Sequence, residues 1–107
     1  MAEKIIRDAD NKWQTYIDWT DWIASKAVTT SEGPGLTVAI VSTNWDIDPA
    51  LTEEQTTTIG NKTHIVCSGG TNGEEYDLIC TITYSASELS LSDLTQDQTM
   101  TVKLKEL

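Results

Sequence analysis

Hydrophobic and polar residues alternate with a period of two through much of this chain, the signature of half-buried strands. In "WQTYIDW", residues 13–19, Trp13, Thr15, Ile17 and Trp19 fall on one face, and Gln14, Tyr16 and Asp18 on the other. In "EEYDLICTITY", residues 74–84, Tyr76, Leu78, Cys80, Ile82 and Tyr84 share a face. "TMTVKLKEL" closes the chain with Met100, Val102 and Leu104 opposite Lys103 and Lys105. "LTVAIVST", 36–43, is the most apolar run and predicts a central strand. "KAVTTSE", 26–32, predicts a short strand ended by "GPG" at 33–35. "TTTIG" and "NKTHIVCS" predict a hairpin around Gly60-Asn61. "NWDIDPALTEEQ" reads as irregular, with Pro49 ending any ladder. "SASELSLSDLTQDQ", 85–98, reads as a longer connection. Residues 1–12, polar and charged, predict an arm, leaving 13–107 as the folded domain.

The period changes once. Within "DWTDWIAS" the spacing of Trp19, Trp22 and Ile23 puts all three on one face of a single helical turn near residues 19–24. Asp18 is placed to cap that turn, with Asp21 as the carboxylate at its third position, a capping-box arrangement. About seven short strands at this spacing predict an all-β fold, an Ig-like antiparallel β-sandwich. "GGTNGEEY" supports it. A Gly-rich corner ending at Gly73 and followed by Tyr76 at a strand start is the setting of a tyrosine corner.

Composition narrows the function. The chain has 107 residues, a size for one domain, and a net charge of −10. That field repels phosphate backbones and anionic lipid, and favours an electropositive protein partner. Neither a signal-peptide core nor a run of transmembrane length is visible, so synthesis in a cytoplasm is expected. In a reducing compartment Cys67 and Cys80 are expected as free buried thiols, with a disulfide the alternative left open. Two Cys and one His, without paired spacing, do not make a metal site. No metal or cofactor is expected.

Catalytic constellations are missing. His64 lies in an alternating strand without a nucleophile elbow. Glu53-Glu54 and Glu74-Glu75 are adjacent on strands, so each pair points to opposite faces and does not converge on one bond. "DADNK" opens like a calcium loop at Asp8 and Asp10, but Trp13 stands where the sixth-position glycine belongs and Trp19 where the glutamate belongs. "DID", 46–48, reads as a solvated acidic loop. Four Trp and three Tyr, with no Phe, remain as candidates. Trp19 is expected in the core. For Trp22 and Trp45 the pattern leaves burial or exposure open. Exposed, with nearby acids, they would suit either a carbohydrate-binding module or a docking site for another protein.

"RDADNKWQTYIDWTDWIAS", "GLTV" and "CSGGTNGEEYDLICTITY", in that order, resemble a family of small tailed-bacteriophage structural proteins, described as fiber-tail adaptors or small virion proteins. The resemblance runs from about Asp8 to Val102. Residues 44–55 and 85–98 are longer than in the family's pattern. The resemblance implies a non-enzymatic virion protein made in the bacterial cytoplasm. It would bind other phage proteins (tail, fiber, portal, collar or major capsid protein) in many symmetric copies, either as an adaptor at the neck or tail or as a capsid decoration protein on the head. Asp18 and Asp21 would then shape the turn, Trp19 would seal the sandwich, and Gly73, Tyr76, Cys67 and Cys80 would be structural. Trp22 and Trp45 would be partner contacts, joined by Ile5 and Ile6 of an arm that orders only on docking. Deleting residues 1–12 is expected to spare the fold and abolish docking.

Overall fold

The computed structural model describes residues 3–31 and 33–106. Seven strands and one short helix follow in order: β1 (Glu3–Arg7), β2 (Trp13–Asp18), α1 (Thr20–Lys26), β3 (Val38–Ile47), β4 (Leu51–Ile59), β5 (Lys62–Gly69), β6 (Glu75–Ala86) and β7 (Leu91–Leu104). They form a sandwich of two sheets, β1-β7-β6-β3 and β2-β5-β4. All pairs are antiparallel except β1 with β7.

The alternating runs supply the core. Trp13, Thr15 and Ile17 of β2, and Thr63, Ile65 and Cys67 of β5, face Leu78, Cys80 and Ile82 of β6 and Met100, Val102 and Leu104 of β7. The intervening residues of β2 point to solvent. Gly60-Asn61 turns the β4–β5 hairpin, with Gly60 at φ +60. The two cysteines are free buried thiols on different sheets. Burial pushes the Cys67 thiol up to about 12, with Glu53 and Glu54 adding to the shift.

Five expectations change. First, Glu3–Arg7 is not a free arm. It lies along β7 in register Ile5↔Val102, with Ile5 packed on the core and the Arg7 carbonyl accepting the Lys105 N–H at 2.8 Å. A short apolar pair between charges is enough for an edge strand once β7 offers a ladder. Met1 and Ala2 lie outside the described residues. Second, residues 26–32 do not form a strand. Their described part completes α1 and a loop whose only ladder contact is the Thr30↔Gly33 bridge. The loop folds tightly onto the helix end: Leu36 N–H reaches the Lys26 carbonyl at 2.6 Å, and a Cβ on Gly35 would run into the Ala27 carbonyl.

Third, β3 is an edge strand, not a central one. Its apolar run is broken by a bulge at Ile40/Ser42 that leaves Val41 56% exposed. Fourth, residues 44–55 are not irregular. β3 runs on to Ile47 and β4 starts at Leu51, so Pro49 sits in a tight turn where it interrupts no ladder. The Asp48 carboxylate holds that turn by accepting the Ala50 N–H at 2.9 Å. Fifth, residues 85–98 are not a connection. β6 and β7 form one long hairpin, turned by a 3-10 turn at Ser87–Leu89 and Ser90 at φ +53. Leu91 and Leu94 fall out of phase with a period of two and the residues after them are polar, so the hydrophobic pattern does not mark the stretch as strand.

Candidate functional site

The two sheets differ in length. β3, β6 and β7 have 10, 12 and 14 residues against 6 and 8 for β2 and β5, and α1 packs its Trp22 on Tyr84 of β6. Asp18 sets the crossover. Its Oδ1 accepts the Thr20 hydroxyl at 2.6 Å and the Thr20 N–H at 3.0 Å. These bonds hold its carboxyl below the usual range, the hydroxyl contributing most. The expected capping box does not form. Trp19 occupies the cap position and its N–H is taken by the Asn61 carbonyl at 2.9 Å, so Asp18 lies one residue outside and Asp21 is merely an acid in the first turn.

Three rings then form a chain. Trp19 is 1% exposed and donates its indole N–H to the Thr63 hydroxyl at 3.0 Å. Trp22 meets Trp19 edge-to-face at 5.6 Å and Tyr84 at 4.9 Å. Trp22 is therefore half-buried: one side covers the upper core, and the other lines a pocket of about 340 Å³ with Lys26, Val28, Pro34 and Leu36. The Lys26 ammonium stands 5.6 Å from the Trp22 ring centre. Trp45 behaves differently. It is 8% exposed and belongs to the core, so it is not a surface contact; its inward position on β3, opposite Cys80, decides this.

Apolar groups gather at the same end. The Glu88 carboxylate accepts the Thr37 N–H and hydroxyl, both at 2.7 Å, which fastens the β6–β7 tip to the start of β3. Those two bonds, with smaller help from the Glu88 backbone N–H and the Ser87 hydroxyl, push the Glu88 carboxyl down to about 2. Leu89 and Leu91 on the tip, and Val28 on the loop after α1, stay exposed.

The opposite end is acidic. The Gly-rich loop is a closed corner: the Tyr76 hydroxyl accepts the Thr71 N–H at 2.9 Å, and Gly73, at φ +98, donates its N–H to Leu104. The Asn72 side chain accepts the Ala9 N–H, tying the corner to the β1–β2 turn. Beside it lies a cleft of about 570 Å³ lined by Asp46, Asp48, Glu75 and Asp77 over Ile47, Pro49, Tyr76 and Ile79. β6 spans the distance between the two ends, about 40 Å for its 12 residues.

The sequence-predicted residues are thus not one site. Trp22 lies at the helix end. Ile5 and Ile6 lie on the far edge of the larger sheet, Ile5 half-buried and Ile6 50% exposed. His64 stacks on Tyr16 at 5.2 Å on the outer face of the smaller sheet. Glu54 is held by Ser68 and Lys12. Sequence reasoning missed Glu88, Val28, Leu89 and Leu91, because single exposed apolar residues in polar stretches leave no periodic signal.

One family pattern, described as podophage GP4 fiber-tail adaptor protein gp77, matches residues 7–103. The chain belongs to this family. The match takes in both ends, the helix with Trp22 and the acidic corner alike. The protein is accordingly a bacteriophage tail component. No match is found among curated proteins or among solved structures.

Proposed function

We propose that this protein is a non-enzymatic adaptor that joins fibers to the tail by binding different virion proteins at its two ends. Family membership carries the reading, and the contrast between the ends supports it. The end with Trp22, Val28, Pro34, Leu36, Leu89 and Leu91 offers apolar area around an aromatic anchor, the composition of a lasting protein contact. The acidic end gathers four carboxylates, those of Asp46, Asp48, Glu75 and Asp77, which suits a basic partner surface and raises the rate of encounter. Many symmetric copies would let weak single contacts hold a fiber.

The carbohydrate-module reading needs two exposed tryptophan rings, and Trp45 is in the core. Decoration of the head remains the reading to test against. Gold-labelled antibodies on purified particles separate the two. Label at the neck or tail is expected. Label spread over the head would make the protein a decoration protein and overturn the adaptor reading.

A further inference from the structure

The two lateral sides of the sandwich are not alike. On one side β1 and β2 are the sheet edges, and Arg7 closes the gap between them: its Nε and Nη2 donate to the Gln14 carbonyl at 3.2 and 3.1 Å. On the other side β3 and β4 are both edges. β4 is held by a single ladder to β5, and after Leu51 every one of its residues is exposed. Thr56 and Thr58 stand opposite buried Ile65 and Thr63, so they face the core side, yet both lie open to solvent. Packing therefore does not account for this strand.

Edge strands are normally guarded by Lys, Pro, bulges or short length. β4 has a bulge at Glu53/Gln55, and beyond it Gln55–Ile59 runs five residues with no charge, no proline and no further irregularity. A row of unpaired N–H and C=O groups at strand spacing is complemented by one thing, another extended backbone. We infer that the free edge of β4 takes an extended, basic segment of another virion protein as an added strand.

Charge selects that occupant over a second copy of this chain. Two molecules of net charge −10 repel each other. The Glu53 carboxylate, at the bulge where the open run begins, makes no hydrogen bond or ion pair among the described residues. A Lys or Arg at the matching position of the incoming strand would pair with it. On the outer face the added strand would continue a shallow hollow of about 220 Å³ formed by Gln14, Gln55, Thr57, Ile59, His64 and Val66, which takes an apolar side chain beside Ile59 and Val66. This inference rests on the adaptor reading for the partner's nature, and deepens it by naming the kind of segment bound.

The test uses the full chain and a synthetic peptide, Lys-Thr-Val-Thr-Val-Thr-Lys, against the same peptide N-methylated at alternate residues. The unmethylated peptide is expected to bind saturably and to slow amide exchange across Gln55–Ile59 about tenfold or more. The methylated peptide, of equal charge, is expected not to. The variant T56K/T58K places two lysines on the open edge and should weaken binding about tenfold. The control S92K/T95K, with the same charge change at exposed β7 positions, should stay within about twofold. Equal binding of the two peptides would show mere charge attraction and overturn the proposal, as would equal effects of the two variants. No saturation by about 1 mM overturns it too. If the T56K/T58K protein does not fold, the peptide pair alone decides. A dimer in sedimentation, with β4 amides protected before peptide is added, would replace the proposed occupant by a second copy. Particle labelling is independent: label at the neck without peptide binding removes the β4 site and leaves the adaptor reading standing.

Discussion

Three tryptophans of the core are more than nine-tenths buried, but only one has a partner for its N–H. Trp19 donates to Thr63, while the indole nitrogens of Trp13 and Trp45 have no partner among the described residues. Replacing each by Phe removes a similar amount of ring, costing about 1–2 kcal/mol in packing, a fraction of the 3–5 typical of Trp→Ala. Trp19→Phe also loses a hydrogen bond worth about 1 kcal/mol, for a total of about 2–3 kcal/mol. Trp13→Phe and Trp45→Phe lose no bond and remove a buried unpaired donor, so their cost should fall to about 1 kcal/mol or less. Thr63→Val tests the same bond from the other side. It strands the Trp19 N–H and takes away the acceptor of the Cys80 thiol, at a cost of about 1–3 kcal/mol. Once Thr63 is Val, Trp19→Phe should cost about 1 kcal/mol less than it does alone. Urea unfolding followed by far-UV circular dichroism measures all five variants without relying on indole fluorescence. The m-value should stay constant. A Trp45→Phe cost equal to that of Trp19→Phe, or simple addition of the Trp19 and Thr63 substitutions, would refute a stabilising Trp19–Thr63 bond.

Three further expectations concern other parts of the fold. Glu88 has its folded-state pKa depressed to about 2 from 4.5, so the latch to Thr37 is complete above pH 4.5 and is lost as pH falls toward 2; the Thr37 amide shift in an NMR titration should follow that course, and Glu88→Gln should flatten it. Cys67, with its thiol near 12, and Cys80, also raised, should resist a thiol reagent at pH 8 in the folded protein and react once urea unfolds it; prompt reaction in the native state would contradict their burial. Deleting residues 1–7 should lower stability by about 2 kcal/mol, since it uncovers the β7 edge and removes both the Ile5 packing and the Arg7 bridge; an unchanged urea midpoint would restore the free-arm reading.

Much of the fold was legible in the chain because β-strands with one buried face write their register as alternation. Trp13 to Trp19, Tyr76 to Tyr84 and Met100 to Leu104 all announce which side they bury, and the structure buries those sides. The helical turn and the tyrosine corner were legible because each has a bond between near neighbours, Asp18 with Thr20 and Tyr76 with Thr71, although Asn61 and Leu104 complete them from far along the chain. The family, too, is written in those local patterns. Elements that depend on a neighbour far along the chain left no such mark. β1 exists because β7 presents a ladder, and β4 because β5 does; neither has an alternating apolar face of its own. Trp22 and Trp45 have the same chemistry, yet one lines a pocket and the other is enclosed. The difference is which sheet or helix stands opposite, and only the tertiary structure sets that. The polar stretches follow the same rule. Burial constrains one face of a strand and leaves the other free, so the edges, tips and clefts where a partner would dock carry no periodic trace and appear only when the sheets are assembled.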